Sequence, residues 1–277
     1  MTTLREIEQR SHRGIAWHRI AAMLLRHKYL LTSSWPRLLE LIYWPMLTLI
    51  SWGFLQSYVS TNATFFARAG ATFVTAVILW DMLMRGQLGY SISFLEEMWS
   101  RNLGNLMMSP LKPIEFVISL MLMSLIRLAI GVVPMTVMAI AFFHFNPLGL
   151  GLALVAFFCN LIFTSWAVGL LVSGLVLRNG MGAESLAWTL IFILLPLVCV
   201  YYPVAVLPHW LQWVAWTLPP TYVFEGMRAL MIDKVFRVDL MVEALALNAV
   251  VFGAAVVAFL ALLKSARVHG KLIASGE

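Results

Sequence analysis

Charge is what this chain has least of. Asp, Glu, Lys and Arg make up 12% of its 277 residues, against 61% hydrophobic; a water-soluble domain carries about a quarter charged residues. That deficit excludes an ordinary soluble protein, and apolar runs of about 20 residues imply several membrane-spanning helices instead. Cysteine is nearly missing. Cys159 and Cys199 both fall inside apolar runs and read as small hydrophobes, which excludes a disulfide framework and a thiolate metal site. There is no low-complexity tract and no internal repeat, which disfavours carriers built from inverted halves. The phosphate-binding pattern GxxxxGK[ST] is missing, because Gly270-Lys271 is followed by leucine and lacks the loop. The chain has no ATP site of that kind. HExxH, GxSxG and metal-ligand spacings of His, Cys and Asp are missing too, so a lipid-modifying enzyme is disfavoured and no metal is expected. His144 and His209 fall at the outer ends of predicted spans, as interfacial residues.

What is present organises into six predicted spans: Leu38–Tyr58, Phe66–Leu88, Ile114–Phe143, Pro147–Leu177, Leu186–Val206 and Leu240–Leu263. The expected fold is an all-α integral membrane protein. Residues 1–37 form a cytoplasmic tail and an amphipathic interfacial helix, 38–263 a six-span domain, and 264–277 a second cytoplasmic tail. The start, with Arg5, Arg10 and Arg13, leads into no short apolar stretch with a cleavage site and reads as a retained tail. With the amino terminus inside, the outer segments hold only Arg68, Arg228, Lys234 and Arg237 among the cations. That bias places both termini in the cytoplasm. The net charge of +6 then reports topology and contact with anionic lipid, not nucleic acid.

Three segments are candidates for function. Residues 12–31 read as an amphipathic helix, with Trp17, Ile20, Ala21, Leu24 and Leu25 on an apolar stripe and His12, Arg19 and Arg26 in a seven-spaced cationic row. Such a helix lies in the headgroup plane with its cations toward anionic lipid or a partner. The second segment interrupts the grease between spans two and three. A short helix is predicted over Phe94–Met108, ended by Ser109-Pro110 and Lys112-Pro113. It combines Glu96, Glu97, Arg101 and Asn102 with Phe94, Trp99 and methionines, residue types suited to docking a partner and more than a solvated connector needs.

The third segment, about 207–230, is too polar for a clean span and too apolar for a free loop. Pro208 and Pro219-Pro220 break it into two short helices, and Trp210, Trp213 and Trp216 share one face at i, i+3, i+6. A re-entrant external hairpin before the last span fits best. Glu225 and Arg228, at i, i+3, either neutralise each other at the outer boundary or brace an external gate with Trp213, Pro219, Pro220 and Tyr222. Inside the spans, Asp81 and Arg85 are spaced to pair along one helix, and Arg127 must face the bundle interior, a water-filled path or backbone carbonyls. So few intramembrane carboxylates argue against a stand-alone proton-coupled carrier. Ser165, Gly169 and Ser173 form the small-residue face of a packed helix.

Taken in order, these elements resemble the membrane subunit of the ABC-2 family of ATP-binding-cassette exporters. The likeness rests on the basic helix His12–Leu31 and on Asn105-Leu-Met-Met-Ser-Pro-Leu-Lys-Pro-Ile-Glu115 before the third span. It rests also on Pro208…Leu218-Pro-Pro-Thr-Tyr222…Glu225…Arg228 before the last, and it covers nearly the whole chain. The resemblance implies a dimer of such subunits, identical or paired, in a bacterial inner membrane. It implies two copies of a separate ATPase subunit, which supplies the ATP and Mg sites and grips the coupling helix. It also implies outward transport of lipids, glycolipids, lipo-oligosaccharides, polysaccharides or hydrophobic drugs. An ion-coupled carrier and an assembly subunit of a cell-envelope complex are the rival readings.

Overall fold

The computed structural model describes residues 15–62 and 64–268. The expected tail up to residue 14, with His12, and the chain from residue 269 lie outside them. Regular structure among the described residues is entirely helical. In chain order it comprises α1 (Trp17–Thr32), α2 (Trp35–Asn62), α3 (Thr64–Trp99), α4 (Leu103–Met108), α5 (Pro113–Phe143) and α6 (Leu152–Asn179). There follow α7 (Leu186–Leu197), α8 (His209–Trp216), α9 (Pro219–Arg228) and α10 (Val238–Val268). A short 3-10 turn, Pro147–Leu150, precedes α6, and α9 runs into a π turn over Ala229–Asp233.

Four stretches are long and apolar enough to cross a membrane: Trp35–Tyr58, Pro113–Phe143, Leu152–Asn179 and Val238–Ala266. The chain is therefore an all-α integral membrane protein, but the six predicted spans are not six continuous apolar helices. The second lies within α3, a 36-residue helix that runs on past Leu88 and carries Asp81, Arg85, Glu96 and Glu97. The fifth is corrected. Its helix stops at Leu197 after 12 residues, or about 18 Å of rise, against a hydrocarbon layer of about 30 Å. The chain then turns through Val198–Tyr202, where Cys199 takes φ of 55°. The sign of that break in the sequence is Pro196, one residue before the helix ends, with Pro203 beyond it; proline removes a backbone donor and interrupts a helix.

Helices α3 and α6 sit at the centre, with α5 and α10 packed on them and α2 outside α3 and α5. The predicted small-residue face of α6 is what α3 packs on. Ser165 Oγ donates to the Leu83 carbonyl at 2.8 Å, and a Cβ on Gly169 would meet the Tyr90 ring at 2.7 Å. On the other side of α6, Asn248 Nδ2 donates to the Asn160 carbonyl at 3.0 Å and Thr164 Oγ1 to Asn248 Oδ1 at 2.7 Å. These bonds join α6 to α10 where the apolar surroundings supply no competing water.

Helix α5 starts where its sequence says. Pro113 stands at the first helical position and Glu115 Oε2 accepts from the Lys112 amide at 2.9 Å, a reach-back that satisfies a free end-group donor. Further along, Gly131 lets α5 approach α2: an added Cβ would lie 2.9 Å from the Leu41 carbonyl oxygen. Gly131→Ala is expected to cost about 1–3 kcal/mol, the usual penalty for overpacking a fitted contact. Gly149→Ala, at a position open to space, is expected to change stability by less than about 0.5 kcal/mol. Thermal inactivation of the two variants in detergent, side by side, checks this.

Candidate functional site

The two ends of the bundle carry the polar residues. At the end where α3 leaves and α5 enters, Glu96 and Glu97 occupy the last turn of α3, and both are buried, Glu97 completely. Glu97 accepts from Arg26 Nε at 2.9 Å and Nη2 at 3.1 Å, and from Asn102 Nδ2 at 2.9 Å. Glu96 Oε2 accepts from Arg127 Nη2 at 2.7 Å, and Arg37 Nη1 lies 3.8 Å from its other oxygen. The buried His27 ring stands between the two carboxylates, Nδ1 3.6 Å from Glu96 and Nε2 3.8 Å from Glu97, just beyond hydrogen-bond reach. Next to this group, Glu115 Oε1 accepts from Arg19 Nη2 at 2.8 Å and from the Ala16 amide at 2.9 Å, and Arg19 also binds the Pro110 carbonyl.

The contacts of Arg19, Arg26 and His27 follow from the register of α1. On α1, Ile20, Met23, His27 and Leu31 are the buried side, and Arg19 and Arg26 flank it. Arg19 and Arg26 therefore bind carboxylates within the chain, where the sequence reading aimed the seven-spaced cations at anionic lipid or a partner; His12 lies outside the described residues. Trp17, Leu25 and Tyr29 stay exposed on the other side. Arg127 does face the bundle interior, and its long stem brings the guanidinium to Glu96 rather than to carbonyls. Beyond the second apolar segment, burial alone would raise the Glu96 carboxyl pKa; His27 and then Arg127 outweigh it and hold the pKa below its ordinary value.

This geometry corrects the predicted docking helix. Residues 94–99 are the last turns of α3, and a turn at 100–102 separates them from α4. Arg101 sits there with φ of 51°, and the Asn102 amide bonds the Glu97 carbonyl at 3.0 Å, a helix-ending bond that usually has glycine in Arg101's place. Phe94, Glu96 and Glu97 are spent on contacts within the chain. Trp99 is 52% exposed and its Nε1 donates to Glu184 Oε2 at 2.9 Å, tying this turn to the α6–α7 connection. Trp99, Arg101, Asn105 and Met108 form the outward face of the segment.

At the opposite end, α8 and α9 are two short helices broken at 217–218, as the prolines predict. Trp210 and Trp213 are exposed, but Trp216 turns inward onto Tyr222, ring centroids 4.8 Å apart. The buried Pro219 and Pro220 start α9. Glu225 and Arg228 do pair, at 3.0 Å, and each does more than neutralise the other. Arg228 Nη1 donates to the Cys199 carbonyl at 2.8 Å, and Glu225 accepts from the Val204 amide at 2.7 Å. Together they hold the turn after α7 against α9. In the middle of α3, Asp81 Oδ2 accepts from Arg85 Nε at 2.6 Å, completing the expected pair.

Between α2, α3, the 200–205 turn and the hairpin lies a cavity of about 1150 Å³, whose walls include Gln56, Thr72, Phe73, Tyr201, Trp216 and Arg228. No group of three or more His, Cys, Asp or Glu suited to a metal exists among the described residues.

Residues 29–232 match the family model described as ABC-2 type transporter. The chain belongs to that family. It is thereby the permease component of an ABC transporter, with an ABC ATPase implied as its partner. No curated protein gives a significant match to the permease. The matched region contains α2 to α9 and the last turn of α1, and so takes in the carboxylates Glu96, Glu97 and Glu115 and the hairpin, but not Arg19, Arg26 or His27.

Sequence reasoning missed His27, Arg37 and Glu115 in the cluster, and Gln56, Thr72, Phe73 and Tyr201 around the cavity. The reach-back spacing of Glu115 was the one local signal. Arg127→Leu leaves the buried Glu96 without its closest cation and is expected to cost about 3–5 kcal/mol. Arg237→Ala, which removes the exposed partner of Asp239, is expected to leave stability nearly unchanged. Comparison of their unfolding midpoints in detergent checks both.

Proposed function

We propose that two copies of this permease form an export path for an amphiphile, driven by two copies of a separate ATPase subunit that binds the ATP and Mg. The observation that carries this reading is the exposed turn Trp99–Met108, mounted on a buried carboxylate cluster, inside a chain of the ABC-2 family. Both termini and the α3–α5 end face the bacterial cytoplasm in this reading, and the hairpin end faces outward, consistent with the distribution of Lys and Arg.

The ATPase grips the outward face of the turn: Trp99, Arg101 and Asn102, with Asn105 and Met108 beside them. Glu96 and Glu97 serve one step behind it, because reversing their charge would set cations against Arg26, His27 and Arg127. Closure of the ATPase pair pushes this turn, and α3 carries the push along its length. At the far end the Glu225–Arg228 clamp and the hairpin of Trp213, Pro219, Pro220 and Tyr222 form the external gate. Differential contact of the two ATPase states with the turn supplies the shift in equilibrium.

A substitution at Arg101 separates docking from folding. Glycine fits φ of 51° without strain, so Arg101→Gly is expected to keep or raise stability by up to about 1 kcal/mol. If Arg101 touches the ATPase, the same variant loses ATPase copurification or uncouples hydrolysis from transport. Normal association and transport in Arg101→Gly and in Trp99→Ala would contradict the docking assignment. Transport by the reconstituted permease without any ATPase would establish the ion-coupled carrier instead.

A further inference from the structure

We propose that α8 lies on the bilayer at the hairpin end, with Val206, Trp210, Trp213 and Val214 seated among the glycerol and carbonyl groups of uncharged or zwitterionic lipid. The proposal rests on the all-α membrane fold and not on the export reading. Trp210, Trp213 and Val214 stand at i, i+3 and i+4, so they share one side of the helix. All three are exposed, Trp213 by 78%, as is Val206 in the turn before them. The other side of α8 is committed to the protein: Ala215 is buried and Trp216 lies on Tyr222. Neither outward indole N–H has a partner among the described residues, whereas the Trp99 and Trp166 indoles donate to Glu184 and Ser124. A tryptophan with an apolar body and a free N–H suits the layer where hydrocarbon meets headgroup.

The backbone around this face is arranged for a place short of water. A helix leaves its last carbonyls free, and on an exposed helix water takes them. On α8 the protein takes them instead. Thr217 Oγ1 donates to the Val214 carbonyl at 2.7 Å, Thr221 Oγ1 to that of Ala215 at 2.7 Å and Tyr222 Oη to that of Trp216 at 2.9 Å. Gln212 Nε2 donates to the Leu207 carbonyl, in the approach to the helix, at 2.8 Å. Such coverage is what a backbone needs where lipid replaces water. Charge divides the hairpin region in the same way. No Asp, Glu, Lys or Arg occurs from 185 to 224, whereas Asp233, Lys234, Arg237 and Asp239 are all exposed on the arm that leads to α10. Helix α7, which precedes the charge-free arm, also presents exposed Trp188, Phe192 and Ile193. Lipid therefore meets one arm and water the other. With no cation on the α8 face, nothing in it selects an anionic headgroup.

The test places the full-length permease in phosphatidylcholine nanodiscs with one of three diazirines: on a phosphatidylcholine chain beside the glycerol, at the far end of that chain, or on a small water-soluble amide. Labelled peptides are mapped by mass spectrometry. The shallow lipid probe is expected to label the 204–216 segment about fivefold more than the deep probe does, and the water-soluble probe to label 233–239 but not 204–216. Trp213→Phe is expected to keep the shallow label within about twofold, and Trp213→Glu to lower it about fivefold. Replacing about half of the lipid by phosphatidylglycerol is expected to change the label by less than about twofold. Stronger labelling by the water-soluble probe overturns the proposal, as does stronger labelling by the deep probe, which would bury the hairpin in the hydrocarbon. Protection from all three overturns it too and points to a protein cover, such as a second copy of the chain. A label that needs phosphatidylglycerol overturns the neutral-lipid assignment. The unaltered chain and Trp213→Phe decide the outcome even where Trp213→Glu fails to fold.

Discussion

The structure depends on two adjacent carboxylates, Glu96 and Glu97, buried at the end of α3. A carboxylate taken out of water costs several kcal/mol unless it is paired and hydrogen-bonded. Here each oxygen pair recruits cations from different parts of the chain: Arg26 from α1, Arg37 from α2 and Arg127 from α5. Once those side chains are committed, α1 has one way to lie across the bundle, and the turn after α3 has one place to stand. Asn102 bonds Glu97 as well, so the exposed turn and the surface helix are fastened to the same group.

The opposite end repeats the device on a smaller scale. Glu225 and Arg228 do not span two helices, being three residues apart, but both also bind the backbone after α7. The 12-residue helix ends at Leu197, and the turn after it carries backbone carbonyls that an apolar medium could not satisfy. Arg228 covers those of Cys199 and Val200. The short fifth apolar helix, the positive φ at Cys199 and the hairpin are therefore one construction, and the large cavity is the space it encloses against α2 and α3.

Much of this was legible in the sequence wherever the signal is local. The apolar runs, the prolines at 208, 219 and 220, the Asp81–Arg85 spacing and the small face of α6 all depend on neighbours within a turn or two. The carboxylate cluster was not legible, because its ion pairs join residues 31 to 96 positions apart, as in Arg127–Glu96 and Arg19–Glu115. From spacing alone, Arg19 and Arg26 are cations on an amphipathic helix, and lipid headgroups are as good a destination as a buried glutamate. The same limit made Glu96 and Glu97 look like surface charges. A polar stretch between apolar runs reads as exposed, although this one supplies the inside of a cluster and leaves only Trp99, Arg101 and their neighbours outside.

The most direct measurement is a double-mutant cycle on Arg26 and Glu97, read from equilibrium unfolding in detergent. If the pair fastens α1 to the end of α3, then Arg26→Ala, Glu97→Ala and the double variant will show a coupling of at least about 1 kcal/mol. Amide exchange over α1 will rise in both single variants. Effects that add to within about 0.3 kcal/mol, with α1 equally protected in all forms, would contradict the account.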